Sequence, residues 1–458
     1  MVKKEGRWAT VAAFIVAIVI FLASVFVCIS NDTSEAKELP VAPEKQELID
    51  LSEHYMEELR SGNIDAVYED TLDEFKAEIT FDEFTQLVAG IFQKVGHYIQ
   101  TNDSIVEIGS EYDTVVLDEE YSRFLTKTIF VYDDASKIAG FAVQSNGYNA
   151  ESSDKWHEVA LSAGQSKYPL EAALTLPDNV EKAPVVILVA GSGPTDLNET
   201  IGAAENAPLK DIAHGLADQG IASLRFDKHA YDYGAVGFPE NFTVYDEYLY
   251  DVNAIIDQVS QRNDIDANRI YVLGHSQGGM LVPMIANENP EVKGIISMAG
   301  TLRNFEDIQY DQSVLIIKQS GLSEAEEELT IAILTQQLEE IKNIQEGDTG
   351  AYWGMPASYL YSMNSVDRVA MAKALEIPML ILQGADDFQV YADVDYVLWQ
   401  ETLADKDNVT YHLYDGLNHL FMESDSQKDV IDITVYDAPA NVDQRVIDDI
   451  ASWINSLN

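Results

Sequence analysis

Residues 269–280 read Arg-Ile-Tyr-Val-Leu-Gly-His-Ser-Gln-Gly-Gly-Met. The apolar run that ends at Leu273 predicts a short buried strand. Met280-Leu-Val-Pro-Met-Ile-Ala predicts a helix behind it. Between them Gly274 and Gly278 bracket Ser276 in a Gly-x-Ser-x-Gly string. A strand that turns this sharply into a helix forms a nucleophile elbow, with the serine in a strained backbone conformation and its hydroxyl exposed. Side chains two places either side of the serine would collide across the turn, which explains the glycines. The stretch therefore predicts a nucleophilic serine and points to a serine hydrolase.

The neighbouring sequence repeats the same rhythm. Val185-Val-Ile-Leu-Val-Ala, Ile221-Ala-Ser-Leu-Arg-Phe, Ile270-Tyr-Val-Leu, Gly294-Ile-Ile-Ser-Met-Ala and Pro378-Met-Leu-Ile-Leu are short continuous apolar runs. Continuity of this kind marks strands buried on both faces, hence a parallel sheet. Helical patterns near 205–219, 246–262, 278–288 and 440–457 supply the crossovers. Residues 303–372 break the rhythm with charged helical sequence such as Ser323-Glu-Ala-Glu-Glu-Glu-Leu. An aromatic stretch, Tyr352-Trp-Gly-Met-Pro with Tyr359 and Tyr361, follows. An insertion there predicts a helical cap, its aromatics either lining a pocket or packing the cap itself.

Ser276 needs a base. Among eight histidines, His419 fits best. It follows the strand pattern Val409-Thr-Tyr-His-Leu-Tyr and sits in the polar loop Asp415-Gly-Leu-Asn-His-Leu-Phe, in the chain order serine, acid, histidine. His275 flanks the nucleophile but points away from the hydroxyl in an elbow, and His412 alternates into a strand and reads as packed. His214 and His229 read as surface histidines, and His54, His97 and His157 lie outside the catalytic region or at its edge. The orienting acid is expected after the strand that ends at Gly384, where Asp386 or Asp387 suits the task of fixing the histidine tautomer. An oxyanion needs two backbone N–H groups. Gln277, after the nucleophile, offers one. The loop Ala190-Gly-Ser-Gly-Pro offers the other at Ser192, with Gly193 next. No Gly-Lys-Ser/Thr follows that loop, so it does not read as a phosphate cradle. The aspartates lack calcium-loop spacing, and His-Glu-x-x-His is absent. No metal or cofactor is expected. Asn198-Glu-Thr and Asn241-Phe-Thr read as chance glycosylation strings.

Toward the N-terminus, residues 9–29 carry no charge. As a helix they would span about 32 Å, enough for a hydrocarbon core of about 30 Å. Lys3, Lys4 and Arg7 precede the run and Asp32, Glu35 and Glu38 follow it. This predicts a stub at 1–8 inside the cell, a membrane anchor at 9–29 and the rest outside. A cleaved signal ending at Ser34-Glu-Ala36 is the alternative, and a lipoprotein signal at Cys28 is disfavoured by Phe26 and Val27. Residues 30–44 read as a linker. Helical patterns at 44–62 and 64–95, then strand-like runs at 98–108, 112–117, 124–132 and 138–144, predict a small α+β domain over 45–145. A boundary near 145–153 leads into the catalytic domain at 154–458.

The chain has 458 residues and a formal charge of −50. So acidic a surface repels nucleic acid, which excludes that class of partner. Cys28 is the single cysteine, so there is no intrachain disulfide and no cysteine-based zinc site.

The segment from Trp156 to Asn458 resembles the α/β-hydrolase superfamily, in its bacterial serine-aminopeptidase-like and carboxylesterase branch. Tyr168-Pro-Leu-Glu-Ala-Ala-Leu-Thr-Leu-Pro, Ala190-Gly-Ser-Gly-Pro-Thr-Asp, Arg225-Phe-Asp-Lys, Gly274-His-Ser-Gln-Gly-Gly, Gln383-Gly-Ala-Asp-Asp-Phe-Gln-Val and Asn418-His-Leu-Phe carry the resemblance. It implies that the acid is the last residue of Gly-x-x-Asp, which is Asp387. Where the family often has His-Gly-Ser-Gly this chain has Ala190-Gly-Ser-Gly, a change that leaves the backbone donor in place. Where the family often has Asp-Lys-Arg-Gly it has Asp227-Lys-His-Ala, which implies a reshaped loop near 228–237. Residues 45–145 resemble a small exported domain of nuclear-transport-factor-2-like shape. The expectation is an α/β-hydrolase fold with a mostly parallel sheet and a cap at about 303–372, behind a small α+β domain and a transmembrane helix. The expected activity is hydrolysis of small-molecule esters by Ser276, His419 and Asp387 through an acyl-enzyme, with Gln277 and Ser192 holding the oxyanion. A peptidase or acyltransferase with the same triad and an inactive surface binding protein are the rivals.

Overall fold

A computed structural model describes residues 43–234, 241–423 and 430–457. The apolar run 9–29, and with it the anchor, signal and linker expectations, lies outside these residues. Among the described residues no helix is long and apolar enough to cross a membrane. The chain divides between Asn149 and Ala150 into two compact units.

The N-terminal unit begins with helix α1 (Pro43–Ser61), which buries Tyr55, Met56 and Leu59 on one face. The helical pattern over 64–95 resolves into three pieces, α2 (Ile64–Glu69), α3 (Asp73–Glu78) and α4 (Phe81–Val95). Thr80 starts α4 with a reciprocal capping box to Glu83, satisfying two N–H groups that the first turn leaves open. Four antiparallel strands follow in the order β1 (Tyr98–Ile108), β2 (Asp113–Tyr121), β3 (Phe124–Tyr132) and β4 (Ile138–Tyr148). The break between α2 and α3 is tertiary in origin. Thr71 forms an isolated bridge to Ile138 of β4, and the Leu72 N–H donates to the Ile138 carbonyl at 2.9 Å.

The C-terminal unit holds an eight-stranded sheet. Its strands are β5 (Trp156–Ala163), β6 (Leu170–Pro177), β7 (Ala183–Val189), β8 (Ala222–Phe226), β9 (Ile265–His275), β10 (Val292–Met298), β13 (Met379–Gly384) and β14 (Val409–Tyr414). They lie in the order β14-β13-β10-β9-β7-β8-β6-β5. From β14 to β8 every pairing is parallel, and β6 and β5 are antiparallel additions at one edge. All seven residues of β7 are buried. Val185, Ile187 and Val189 face one apolar core, and Val186 and Leu188 face the other. Each such side chain contributes about 1.5–3 kcal/mol over exposure, so a continuous apolar run is what a two-sided strand requires.

Helices α5 (Pro208–Ala217), α7 (Tyr250–Ser260), α8 (Gln277–Glu288) and α14 (Gln444–Ser456) cover the sheet, and α6 (His229–Tyr233) is a short turn after β8. Between β10 and β13 the chain forms α9 (Phe305–Gln319), α10 (Glu324–Lys342), a two-residue hairpin of β11 (Ala351–Tyr352) and β12 (Met355–Pro356), α11 (Ala357–Asn364) and α12 (Arg368–Ala374). This insertion is tied down by specific bonds. The Lys342 ammonium meets Asp307 at 2.8 Å, Ser358 donates to the Phe242 carbonyl at 2.7 Å, and the Val244 N–H donates to the Ser362 hydroxyl at 2.9 Å. Tyr352, Trp353 and Tyr361 pack against the core, while Tyr359 is buried parallel to Phe242 at 6.1 Å.

Candidate active site

In a parallel sheet the carboxyl ends of the strands form the natural site. Ser276, Asp387 and His419 all follow such ends, those of β9, β13 and β14. Ser276 has φ 53° and ψ −116° and caps α8. Its N–H is held by the Met298 carbonyl at 2.9 Å. The steric demand on its neighbours is visible. A Cβ on Gly274 would lie 2.2 Å from the Gly278 carbonyl carbon, and one on Gly278 would lie 2.4 Å from the Val189 carbonyl oxygen. Neither backbone can yield without opening the turn.

His419 Nδ1 lies 2.8 Å from Asp387 Oδ2, and both side chains are buried. Asp387 is held by three further donors: Gln383 Nε2 at 2.9 Å, Gln389 N–H at 2.7 Å and Val390 N–H at 3.0 Å. The His419 loop is fixed from within. Asn418 Oδ1 accepts from Leu420 N–H and Met422 N–H, and Phe421 takes φ 58°. The Asp386 N–H donates to the Leu417 carbonyl at 3.0 Å.

Gln277 opens α8, so its N–H lacks an intrahelical partner. Its side chain is fully engaged, donating to Tyr359 Oη at 2.8 Å and accepting from Tyr248 Oη at 3.2 Å. It thus joins the elbow to the cap. Ser192 is exposed on the loop after β7. The preceding N–H, of Gly191, is committed to Glu199 Oε1 at 2.7 Å, so Ser192 offers the next donor on that loop. Lys228 staples the loop from below. Its ammonium donates to the Gly191 carbonyl at 2.8 Å and the Gly193 carbonyl at 2.7 Å and meets Glu247 at 3.0 Å. Burial pushes the Lys228 amine below its ordinary value, more than Glu247 restores.

Several expectations need correcting. His214 and His229 are not surface histidines. His214 stacks on Trp156 with ring centroids 4.0 Å apart and meets Glu158 at 2.8 Å. His229 is buried among Tyr168, Tyr233 and Phe242, 3.4 Å from Asp251. His412 is not packed away: its side chain is 37% exposed beside Asp449. The Asn198-Glu-Thr string needs no correction: Asn198 is buried and accepts from Arg225, which leaves no room for a glycan. Glu199 and Lys228 are site residues that sequence reasoning passed over. The available signals were a carboxylate eight positions after Gly191 and the lysine of the Asp227-Lys-His-Ala string. Among the described residues no group of three or more His, Cys, Asp or Glu is arranged to hold a metal ion.

Residues 202–426 match the family model described as serine aminopeptidase, S33, and residues 52–141 match a protein family of unknown function, DUF3887. The arrangement of helices before an antiparallel sheet in the N-terminal unit is compatible with a nuclear-transport-factor-2-like fold. Esterase EstD of Thermotoga maritima is 29% identical over 406 residues, covering 87% of this chain and 93% of its own length. The chain is also similar to Est1E from Butyrivibrio proteoclasticus with ferulic acid bound. That likeness has 20% identity and a TM-score of 0.44 and covers 65% of this chain and 99% of the other.

Proposed function

We propose that this chain, an α/β hydrolase and a serine hydrolase of the esterase type, cleaves carboxylic esters through an acyl-enzyme outside the cell. Ser276 Oγ attacks the acyl carbonyl. His419, with Nδ1 donated to Asp387, takes the serine proton at Nε2 and returns it to the leaving alcohol. Water then repeats the sequence on the acyl-enzyme. The Gln277 and Ser192 N–H groups hold the tetrahedral oxygen. Two such donors act on charge that develops only in the transition state, and removing one typically costs about 10²–10³ in rate.

The observation that carries this reading is the 2.8 Å contact of His419 with Asp387, in the same end of the sheet as a serine at φ 53°. Similarity to EstD favours esters as the substrate class over the peptides that the S33 description names. Turnover of p-nitrophenyl esters of increasing acyl length, run beside aminoacyl anilides, tests it. Ester hydrolysis without measurable anilide hydrolysis is expected. A preference for the anilides would make the chain a peptidase with the same machinery. Export and anchoring rest on the uncharged run 9–29 and its flanking charges.

A further inference from the structure

Behind the nucleophile lies a second imidazole–carboxylate pair. His275 Nδ1 is 2.9 Å from Glu199 Oε1, and His275 Nε2 is 2.9 Å from the His419 carbonyl oxygen. Both side chains are buried. The rings of His275 and His419 lie 4.7 Å apart. Glu199 Oε1 also accepts the Gly191 N–H at 2.7 Å. A Cβ on Gly191 would come within 3.1 Å of Ser276 Cβ, so this backbone passes directly beside the nucleophile.

Resting on the hydrolase reading, we propose that Glu199 and His275 form a buried charged clamp that positions the His419 loop and the Ser192 loop against each other across the nucleophile. A carbonyl oxygen can only accept, so His275 Nε2 carries hydrogen. Nδ1 and Glu199 Oε1 share one further proton, which sits on Nδ1 when Glu199 is a carboxylate; the ring is then an imidazolium. Burial opposes that charge, but the Glu199 carboxylate outweighs it and holds the imidazole above its ordinary value. Burial likewise opposes the Glu199 charge, and His275 outweighs it to hold the carboxyl below its ordinary value.

The backbone at Glu199 supports a positioning role. Its φ is 56°, a left-handed conformation that residues other than glycine rarely keep. The turn before it is locked by Asp196 Oδ1, which accepts from the Asn198 and Thr200 N–H groups. Strain of this kind persists where the surroundings over-determine it. Here it aims one carboxylate at two elements that belong to different strands. Neither residue reaches a reacting atom in this account. Their work is to hold the N–H before the oxyanion donor and the carbonyl of the base in register.

The test measures kcat per active site, counted by fluorophosphonate labelling, for E199A and E199Q, and ester turnover per protein for S276A, with folding checked by thermal unfolding. Misplacing reacting groups by an ångström costs about 10²-fold in rate. E199A is expected to lose about that much in kcat per labelled site with KM within about threefold, and E199Q about tenfold, because its amide oxygen still accepts from Gly191. A folded variant that no longer labels also supports the clamp, since serine reactivity is what the clamp maintains. Should E199A fail to accumulate, E199Q carries the test. Parental kcat per labelled site in the folded variants, with only a lowered melting temperature, would reduce the pair to packing and overturn the proposal. S276A separates the two levels. If S276A keeps ester turnover, the hydrolase reading itself fails. If S276A is inactive while the Glu199 variants are not impaired, only the clamp fails.

Discussion

Asp387 and His419, 32 positions apart, meet through Oδ2 and Nδ1 at 2.8 Å. The adjacent Asp386 instead uses its backbone to hold Leu417. Two neighbouring aspartates thus have separable jobs.

Asp387→Asn is expected to lower kcat by about 10⁴, the cost of presenting the wrong histidine tautomer. Asp386→Asn is expected to change it by less than about tenfold, within the range of a group outside the proton path. Steady-state kinetics on the same ester decide between them, and the reverse order would move the acid to Asp386.

The elbow makes a steric prediction. Gly274→Ala and Gly278→Ala each place a Cβ within 2.4 Å of backbone atoms. Overpacking of a core typically costs about 1–3 kcal/mol, and here the displaced atoms carry the nucleophile. Both variants should lose activity out of proportion to their loss of melting temperature. Gly90→Ala, whose Cβ meets nothing within 4 Å, is the control.

A third prediction concerns stability and pH. Glu158 is buried against Arg225 and accepts from His214. Burial would raise its pKa, but His214 and Arg225 together bring it from about 4.5 down to about 2. A depressed carboxyl stabilises the fold above its unfolded value and loses that contribution as pH falls through the folded one. Glu158→Gln should therefore destabilise the C-terminal unit by about 3 kcal/mol near neutrality, the usual cost of orphaning a buried partner. The penalty should shrink between about pH 4.5 and pH 2. Melting temperatures of both proteins across that window check it. A gap that stays constant would mean that the pair contributes no charge-dependent stability.

The fourth prediction tests anchoring. Protease added to intact cells should remove the folded units and leave a short N-terminal fragment in the membrane. A soluble form beginning at Lys37 would show cleavage after Ala36 and end the anchor reading, leaving the catalytic account untouched.

What was legible in the sequence was local. The demands of the Ser276 turn act within two residues on either side, so Gly274 and Gly278 announce it. The apolar runs of β7, β9, β10 and β13 were legible because two-sided burial leaves no polar alternation. The role of Asp387 over Asp386 was not readable from the residues alone, because it depends on which of them faces a loop 32 positions away. Glu199 was hidden for the same reason: its partner His275 is 76 positions distant. His214 and His229 were misread because their partners, Glu158 and Asp251, come from other strands and helices. In the N-terminal unit the break between Glu69 and Asp73 in the 64–95 helical pattern is set by Ile138 on β4, which no local periodicity reveals.

Whether Ser276 is the nucleophile is tested most directly by pre-steady-state kinetics of the parent and Ser276→Ala with ester in excess. With a chromogenic ester the parent should release a burst of alcohol equal to the number of active sites, marking the acyl-enzyme. Ser276→Ala should show no burst and a kcat reduced by about 10⁶ with the fold intact. A variant that kept the burst, or more than about a tenth of parental turnover, would contradict the account and require another nucleophile.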